Sequence, residues 1–115
     1  MKSGINFEQG EIILVPFPFT NLRATKKRPV LVLSKTEINR RFADFVSCGV
    51  TSNIQNAEYS VLIDQNDLKF GYLPKPSRVK TNVIFTLEKS SAIKSLGKLK
   101  DSTFRKVREE VLKLF

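Results

Sequence analysis

The side chains that most often carry catalysis are nearly absent from this chain. Its 115 residues include no histidine and a single cysteine, Cys48. Histidine is the usual general base near neutral pH and, together with cysteine, the usual zinc ligand. The sequence therefore excludes Ser–His and Cys–His nucleophilic pairs, the usual zinc and haem sites, and an internal disulfide.

The acidic residues do not predict a paired-carboxylate site either. The nearest candidate pair, Asp64 and Asp67, lies in a segment rich in Gly, Pro, Asn and Asp, which predicts a turn. Glu109 and Glu110 are neighbours on a predicted helix and therefore project to different faces. Neither pair supplies the clustered ligands of metal-assisted hydrolysis, so we expect no metal and no other cofactor.

Arginine and hydroxyl side chains remain, and they suit a substrate that carries its own nucleophile. In RNA the 2′-hydroxyl can attack the adjacent phosphorus, so the protein has to orient the backbone and neutralise the transition state. Arg28 stands directly before Pro29 at the start of a predicted buried strand, and its planar fork suits phosphate oxygens. Thr51 and Ser52 supply hydroxyls at the end of another predicted strand. On spacing alone, a solvated loop and a turn cap remain the simpler interpretation.

The charge of the chain favours a polyanionic partner. Twenty Lys and Arg against eleven Asp and Glu give a net charge of +9, typical of proteins that meet RNA, DNA, an acidic protein segment or an anionic membrane. A solvated surface of uneven charge is the alternative. The segments between Ile12 and Thr36 and between Lys69 and Lys80 are basic and free of acids.

The candidates for contacts with an RNA backbone are basic residues: Arg23, Lys26, Lys27, Arg78 and Lys80. The candidates for base stacking are the aromatic residues nearest the loops: Phe17, Phe19 and Tyr59.

Short strands dominate the predicted secondary structure. Apolar, β-branched runs bounded by turn residues predict strands at Glu11–Val15, Pro29–Ser34, Asp44–Val50, Tyr59–Ile63 and Ser77–Leu87. Pro16 and Pro18 lack the N–H that a ladder uses, so we expect them to close the first strand. The segment Asp64–Pro76 is predicted to be a loop.

Two helices complete the prediction. Thr36–Arg41 fits one short helical turn with Thr36 as its cap. From Asp101 onward, with Asp101 or Ser102 as the cap, apolar residues form one helical face: Phe104, Val107, Val111 and Leu114. The combination predicts a mostly β, α+β fold, with short helices and a C-terminal helix on a small barrel.

Length and hydropathy bound the organisation of the chain. At 13.1 kDa the 115 residues correspond to about one domain, so we expect a single domain over residues 1–115. The N-terminal segment lacks the apolar core of a signal peptide, and no run approaches the roughly 20 apolar residues of a membrane span. A cytoplasmic protein without membrane association is the expectation.

Several segments, taken in order, resemble one protein family. GEIILVPFPFTNLRATKKRPVLVLS at Gly10–Ser34 and GVTSN at Gly49–Asn53 resemble the first strands and the V-T-S element of the MazF/PemK toxin endoribonucleases. Ser77–Ser90 and the LGKL turn at Leu96–Leu99 resemble that family's closing segments. The resemblance implies a small curved barrel of the CcdB/MazF/PemK type, similar to the Src-homology-3 barrel and usually a homodimer.

The resemblance also implies an activity and its residues. Members of the family cleave single-stranded RNA such as mRNA at short sequences, without metal, and are silenced by a cognate antitoxin. By position, Arg28 matches the arginine of the R-P motif, which is taken to stabilise the phosphate and shuttle protons. Thr51 matches the threonine taken to stabilise the transition state, and Ser52 matches a residue that contacts RNA.

This sequence departs from the family pattern at two places. Many relatives carry an acid or a histidine in the first loop, where this chain has TNLRATKK. Some relatives carry Arg-x-Asp in the late strand, where this chain has Lys80-Thr81-Asn82 and so keeps the charge but loses the carboxylate. Because the pKa of arginine lies above about 12, Arg28 is a poor general base, and the sequence does not identify a better one.

The sequence therefore predicts a metal-independent, sequence-selective endoribonuclease toxin whose product is a 2′,3′-cyclic phosphate. An acidic antitoxin segment is expected to dock on the same basic surface. One alternative is a catalytically weak or inactive RNA- or DNA-binding module on the same barrel, which the missing acid and histidine favour. A CcdB-like gyrase inhibitor is the less favoured alternative, because that family relies on a Trp near its C-terminus and this chain has none.

Overall fold

A computed structural model describes residues 7–18 and 25–115 of the chain. The strands are β1 (Glu11–Pro18), β2 (Thr25–Val32), β3 (Asp44–Thr51), β4 (Ser60–Ile63), β5 (Leu68–Gly71), β6 (Ser77–Glu88) and β7 (Lys94–Leu99). The α-helices are α1 (Thr36–Arg41) and α2 (Asp101–Leu112), and short 3₁₀ turns lie at Gln65–Asp67 and Lys89–Ser91. None of the helices in these ranges is long and apolar enough to cross a membrane.

The strands form one curled antiparallel half-barrel in the order β4-β6-β3-β2-β1-β7-β5. The predicted mostly β fold with short helices and a C-terminal helix is therefore confirmed. The predicted number of strands was too low, because β5 lies inside the predicted loop Asp64–Pro76 and β7 includes the LGKL segment interpreted as a turn. These two strands sit together at the end of the sheet and complete its curvature.

Glycine makes these two unpredicted strands possible. Gly71 and Gly97 pair across β5 and β7 with φ angles of 102° and 156°, a backbone region that side chains rarely adopt. A Cβ atom on Gly71 would collide with the backbone of Gly97, so the two strands meet backbone to backbone. A search for alternating apolar and polar side chains misses such a pairing, because the paired residues have no side chains to alternate.

The expectation that Pro16 and Pro18 close the first strand was wrong. β1 continues to Pro18 and pairs with β2 from Ile12 to Pro18. Both prolines lie an even number of residues from Leu14, which pairs with Pro29, so they occupy the same type of ladder position as Leu14. At alternate positions of an antiparallel ladder the N–H points away from the partner, so proline is tolerated there. On its other side β1 pairs with β7 only from Glu11 to Leu14, so no strand of residues 7–18 and 25–115 pairs with the two prolines on that side.

The two faces of the sheet are both buried, each under a different core. The first core lies inside the barrel beneath α2 and contains Ile12, Leu31, Cys48, Val50, Ile63, Leu68, Leu73, Val79, Leu99 and Val107. The second core lies on the opposite face and contains Phe7, Ile13, Val15, Val30, Val32 and Phe45. Adjacent residues of β1, Ile12 and Ile13, therefore belong to different cores, as strand alternation requires.

Neither predicted helix cap is used. Lys35 precedes α1, and the hydroxyl of Thr36 instead accepts a hydrogen bond of 3.0 Å from the backbone N–H of Gln9. Lys100 precedes α2, and its N–H donates to the carbonyl of Asp67 at 2.8 Å. Tertiary contacts thus set both helix starts. The predicted apolar face of α2 is confirmed for Val107, which is fully buried, and for Phe104 and Val111, which pack on the first core. The fourth predicted residue, Leu114, lies beyond the end of the helix at Leu112.

The predicted turn at Asp64 and Asp67 is confirmed, and both carboxylates are used within it. Asp64 accepts the N–H of Asn66 at 2.8 Å, and Asp67 accepts the N–H of Asp64 at 2.8 Å. Asp67 also accepts the hydroxyl of Thr103 at 2.9 Å, which ties the turn to α2. These bonds give the acid pair a structural role.

Candidate functional site

A row of polar residues crosses three strands on one face of the sheet. Val30 of β2 faces Gly49 of β3, so this register, continued to the strand ends, brings Arg28 opposite Thr51. Thr51 in turn faces Arg78 of β6. Directly paired residues of antiparallel strands project to the same face, so Arg28, Thr51 and Arg78 form one row, which we call the polar row.

A cleft of about 280 Å³ opens beside the polar row. We call it the central cleft; its lining residues are Phe17, Arg28, Pro29, Gly49, Val50, Thr51, Lys80, Val83 and Phe85. The rings of Phe17 and Phe85 meet edge to face with centroids 4.8 Å apart and separate the cleft from the second core. The cleft thus combines an apolar wall with two cations and a hydroxyl.

An irregularity in β6 shapes this cleft. The β3–β6 register passes from Gly49 opposite Lys80 to Cys48 opposite Ile84, so Thr81, Asn82 and Val83 have no partner on β3. Gly49 lies beside Val83, where a Cβ atom would be 3.5 Å from one of the valine methyl groups and so in ordinary contact with it. A bulge beside a glycine is a common way to bend a strand and create a concave surface.

Two further hollows adjoin the polar row. The barrel-end hollow, of about 260 Å³, is lined by Lys26, Lys27, Arg28, Pro29, Val50, Thr51, Ser52, Leu73, Pro74, Lys75, Ser77 and Leu96. The amide hollow, of about 340 Å³, is lined by Thr51, Asn53, Gln55, Asn56, Ala57, Arg78 and Lys80. Thr51 belongs to both hollows and to the central cleft, so it stands where the three meet.

Most of the site residues predicted from the sequence come together here. Arg28 and Thr51 are half-buried, Ser52, Lys26 and Lys27 lie at the barrel end, and Arg78 and Lys80 lie on the other side of Thr51. Among the described residues that line the cleft and the two hollows, six are Lys or Arg and none is Asp or Glu. The fold therefore brings residues of the two acid-free basic segments together around Thr51.

One predicted RNA contact, Tyr59, does not join this group. Tyr59 lines a separate hollow with Glu110 of α2 and with Lys113, which directly follows that helix. There the ion pair with Glu110, 2.6 Å long, raises the pKa of Lys113 above its ordinary value. Arg23 and Phe19 lie outside the described residues. The roles of Tyr59 and Arg23 in RNA contact stay predictions.

Hydrogen bonds fix the side of the site that faces β4. The guanidinium of Arg78 donates to the hydroxyl of Ser60 at 3.1 Å and to the carbonyl of Ile54 at 3.4 Å. The hydroxyl of Thr51 accepts the N–H of Asn53 at 3.1 Å. The segment after β3 is thereby held against β6, with side-chain amides around the hollow. Sequence reasoning missed these amides, because the cluster after Thr51 was interpreted only as a polar turn.

A scan against protein-family models matches residues 8–115 to the family described as PemK-like, MazF-like toxins of type II toxin–antitoxin systems. The chain belongs to this family. The resemblance seen in the sequence is thus confirmed over nearly the whole chain.

Solved structures share the fold of this PemK-like, MazF-like chain. A mycobacterial endoribonuclease in complex with its cognate antitoxin is 21% identical, with a TM-score of 0.76, over 92% of this chain and 91% of that one. MazF from Deinococcus radiodurans is 20% identical, with a TM-score of 0.74, over 96% of both chains. The Mycobacterium tuberculosis toxin MazF-mt6 is 19% identical, with a TM-score of 0.73, over 90% of this chain and 93% of that one. A search of curated proteins found no match.

The departure from the family pattern can now be located in the structure. Lys80 lines the central cleft and the amide hollow, so the retained positive charge faces the site. Asn82, which stands where some relatives have a carboxylate, is exposed in the β6 bulge and lines none of the three spaces. In this PemK-like, MazF-like chain, the described part of the site is therefore cationic and amidic in character.

Proposed function

We propose that this chain is the toxin of a type II toxin–antitoxin system and acts in the cytoplasm as a metal-independent endoribonuclease on single-stranded RNA, including mRNA. The observation that carries the proposal is the polar row, which aligns Arg28, Thr51 and Arg78 beside a cleft free of acids among its described residues. Family membership and the mycobacterial endoribonuclease of the same fold support it.

The reaction is an internal transesterification of the RNA backbone. The 2′-oxygen forms a bond to the adjacent phosphorus, and the bond from phosphorus to the 5′-oxygen of the next nucleotide breaks. The products are a 2′,3′-cyclic phosphate and a 5′-hydroxyl, so the proton lost by the 2′-hydroxyl is balanced by the proton gained by the leaving oxygen. The nucleophile belongs to the substrate, so the protein has to supply orientation and charge stabilisation.

Arg28 and Thr51 divide the stabilisation of the phosphorane between them. The planar guanidinium of Arg28 can bond two equatorial oxygens at once and can assist protonation of the leaving oxygen. The hydroxyl of Thr51 adds a neutral hydrogen bond from the neighbouring strand. The flanking phosphates are bound by the other polar residues of the site, namely Ser52, Lys26, Lys27, Arg78 and Lys80, and Arg23 is expected to join them. Selectivity for the RNA sequence comes from contacts with the bases next to these phosphates.

Deprotonation of the 2′-hydroxyl is the slow part of this mechanism. The chain has no histidine, and no carboxylate lines the described part of the three spaces around Thr51. Water or hydroxide therefore takes the proton, which makes turnover slow and faster at higher pH. The same observation favours a second candidate function, a catalytically inactive RNA- or DNA-binding module on the same surface.

The proposed partners follow from charge and fold. An acidic antitoxin segment would neutralise the cations of the basic surface and block RNA from the polar row. Structures of the same fold include the mycobacterial endoribonuclease with its cognate antitoxin and a MazE–MazF complex from Deinococcus radiodurans. We expect the toxin itself to be a homodimer.

The decisive experiment incubates purified protein with an end-labelled single-stranded RNA pool in excess EDTA. Discrete fragments with cyclic-phosphate ends are expected, and both Arg28→Ala and Thr51→Ala should lose them. Arg105→Ala, which removes an exposed charge from α2, is the matched control and should cleave normally. Intact RNA that binds the wild-type protein with a steep salt dependence would instead establish the binding module.

A further inference from the structure

The amide hollow contains more hydrogen-bonding groups than phosphate binding requires. Asn53, Gln55 and Asn56 contribute three neutral side-chain amides to its lining, next to Thr51 of the polar row. Phosphates attract cations, and Arg78 and Lys80 already supply these at the same hollow. Neutral amides are the groups that proteins use to recognise base edges, since they present a donor and an acceptor side by side.

The amides differ in how the fold uses them. The side-chain oxygen of Asn53 accepts the N–H of Gln55 at 3.2 Å, so Asn53 shapes the turn itself. Gln55 and Asn56 are exposed, and no side-chain hydrogen bond found among residues 7–18 and 25–115 uses their amides. Gln55 and Asn56 can therefore offer both the donor and the acceptor of their amides to a ligand, whereas the oxygen of Asn53 is already used in the turn.

The loop that carries these amides is held in place at both ends. At its start the hydroxyl of Thr51 accepts the N–H of Asn53, and in its middle the carbonyl of Ile54 accepts a bond from Arg78. At its end Tyr59 adopts a left-handed backbone with a φ of 54°, and its carbonyl accepts both the N–H and the hydroxyl of Thr81 at 2.9 and 2.6 Å. A recognition site held in this way loses little conformational entropy when a ligand binds.

We propose that the amide hollow binds the edge of one unpaired nucleobase and that Gln55 and Asn56 determine which base is accepted. Bases of single-stranded RNA are splayed out and read along their edges. The base expected is adenine, because a side-chain amide pairs with its N6 amino group and N7 at once. The inference rests on the proposed function, since RNA lying along the polar row supplies this base.

The test selects from a pool of single-stranded RNA with randomised positions. RNA retained on the protein and RNA ends produced by cleavage are sequenced separately, so that base preference is measured with or without turnover. The variants are Gln55→Ala, Asn56→Ala and the double variant. Asn66→Ala is the matched control, because Asn66 is an exposed asparagine in the 3₁₀ turn at Gln65–Asp67 and does not line the hollow.

The wild-type protein and Asn66→Ala should prefer adenine at one position by about tenfold. The double variant should lose most of this preference while its total RNA binding stays within about threefold, because the phosphate contacts remain. An unchanged preference in the double variant overturns the inference and leaves the proposed function intact. A preference for another base overturns the assignment to adenine, and absence of RNA binding by the wild type overturns both proposals.

Discussion

The two faces of strands β2, β3 and β6 are built from alternate residues of the same chain segments but have opposite properties. On the barrel side, Leu31, Cys48, Val50 and Val79 are almost fully buried in the first core. On the other side, the second core ends at Val30, and the next row outward is the polar row. A shift of one residue therefore separates the interior of the fold from its candidate active site.

This difference explains how a chain without the usual catalytic residues can present a site. The strands β2 and β3 continue beyond the second core, so Arg28 and Thr51, the first pair past Val30 and Gly49 on that face, are only half-buried. The backbone at this row is still fixed by the first core on the opposite face, where Val50 and Val79 pair directly. A fixed backbone beneath the half-buried Arg28, Thr51 and Arg78 is the preorganisation that electrostatic stabilisation requires.

Replacing Arg28 should give the largest difference between an effect on activity and an effect on stability. Arg28→Ala should lower kcat/KM for RNA cleavage by about 10²–10³-fold, because a preorganised charge next to the phosphorane is lost. The unfolding free energy should change by less than about 1 kcal/mol, since the side chain lies outside both cores. Single-turnover cleavage and urea denaturation measure the two effects.

Arg28→Lys is the matched control for that experiment. It keeps the charge but not the bidentate fork, so its activity should fall between those of the wild type and Arg28→Ala. Loss of activity that parallels loss of stability in both variants would contradict a separate functional face.

A change on the other face of the same strand should have the reverse effect. Leu31→Ala should lower the unfolding free energy by about 2–5 kcal/mol, because it opens a cavity in the first core. Below its unfolding transition, activity per folded molecule should be nearly unchanged. Denaturant titration of Leu31→Ala beside the volume-conserving Leu31→Met, which should lose less than about 1.5 kcal/mol, checks this. A variant that is stable but inactive would show that the core face also carries function.

Smaller effects should come from the cations at the rim of the site. Arg78→Ala and Lys80→Ala should each weaken RNA binding and reduce the slope of log K against log salt by about 0.7, the value for one phosphate on a single strand. Fluorescence anisotropy with a labelled RNA at several salt concentrations measures the slope. Arg105→Ala on α2 should leave it unchanged; an equal reduction there would indicate diffuse charge rather than a defined binding surface.

The sequence was sufficient for the elements with strong side-chain patterns. β-Branched runs located β3, β6 and the second half of β2, whose start at Thr25 they missed, and the apolar spacing of the C-terminal segment located α2 with its buried Val107. The features that the sequence did not predict depend on backbone contacts between residues far apart in the chain. The pairing of Gly71 with Gly97 and the start of α2 at the carbonyl of Asp67 are set by partners far along the chain.

The candidate site shows the same division. Residue types and positions made Arg28 and Thr51 candidates, but on spacing alone a solvated loop and a turn cap were the simpler interpretation, and only the family resemblance favoured the two residues. Their alignment with Arg78 could not be predicted, since it depends on the registers of β2, β3 and β6 and on the bulge after Lys80. The amides of Gln55 and Asn56 acquire a candidate role only because β6 holds their loop beside Thr51.

The last prediction tests whether the first core, which contains Cys48, excludes water and reagents in the native protein. Burial raises the pKa of the Cys48 thiol to about 12, whereas a thiol in the unfolded chain titrates near 8.5. Below the unfolded value both states hold the proton. Above it unfolding releases a proton, so stability should fall by about 1.4 kcal/mol per pH unit relative to Cys48→Ala, whose curve lacks this contribution. Denaturant titrations of both proteins between pH 8 and 10 measure the difference, and iodoacetamide at pH 8 should label Cys48 only after unfolding. Parallel pH curves or rapid labelling of the native protein would show that the first core opens. The two faces of the sheet would then differ only in how often water reaches them.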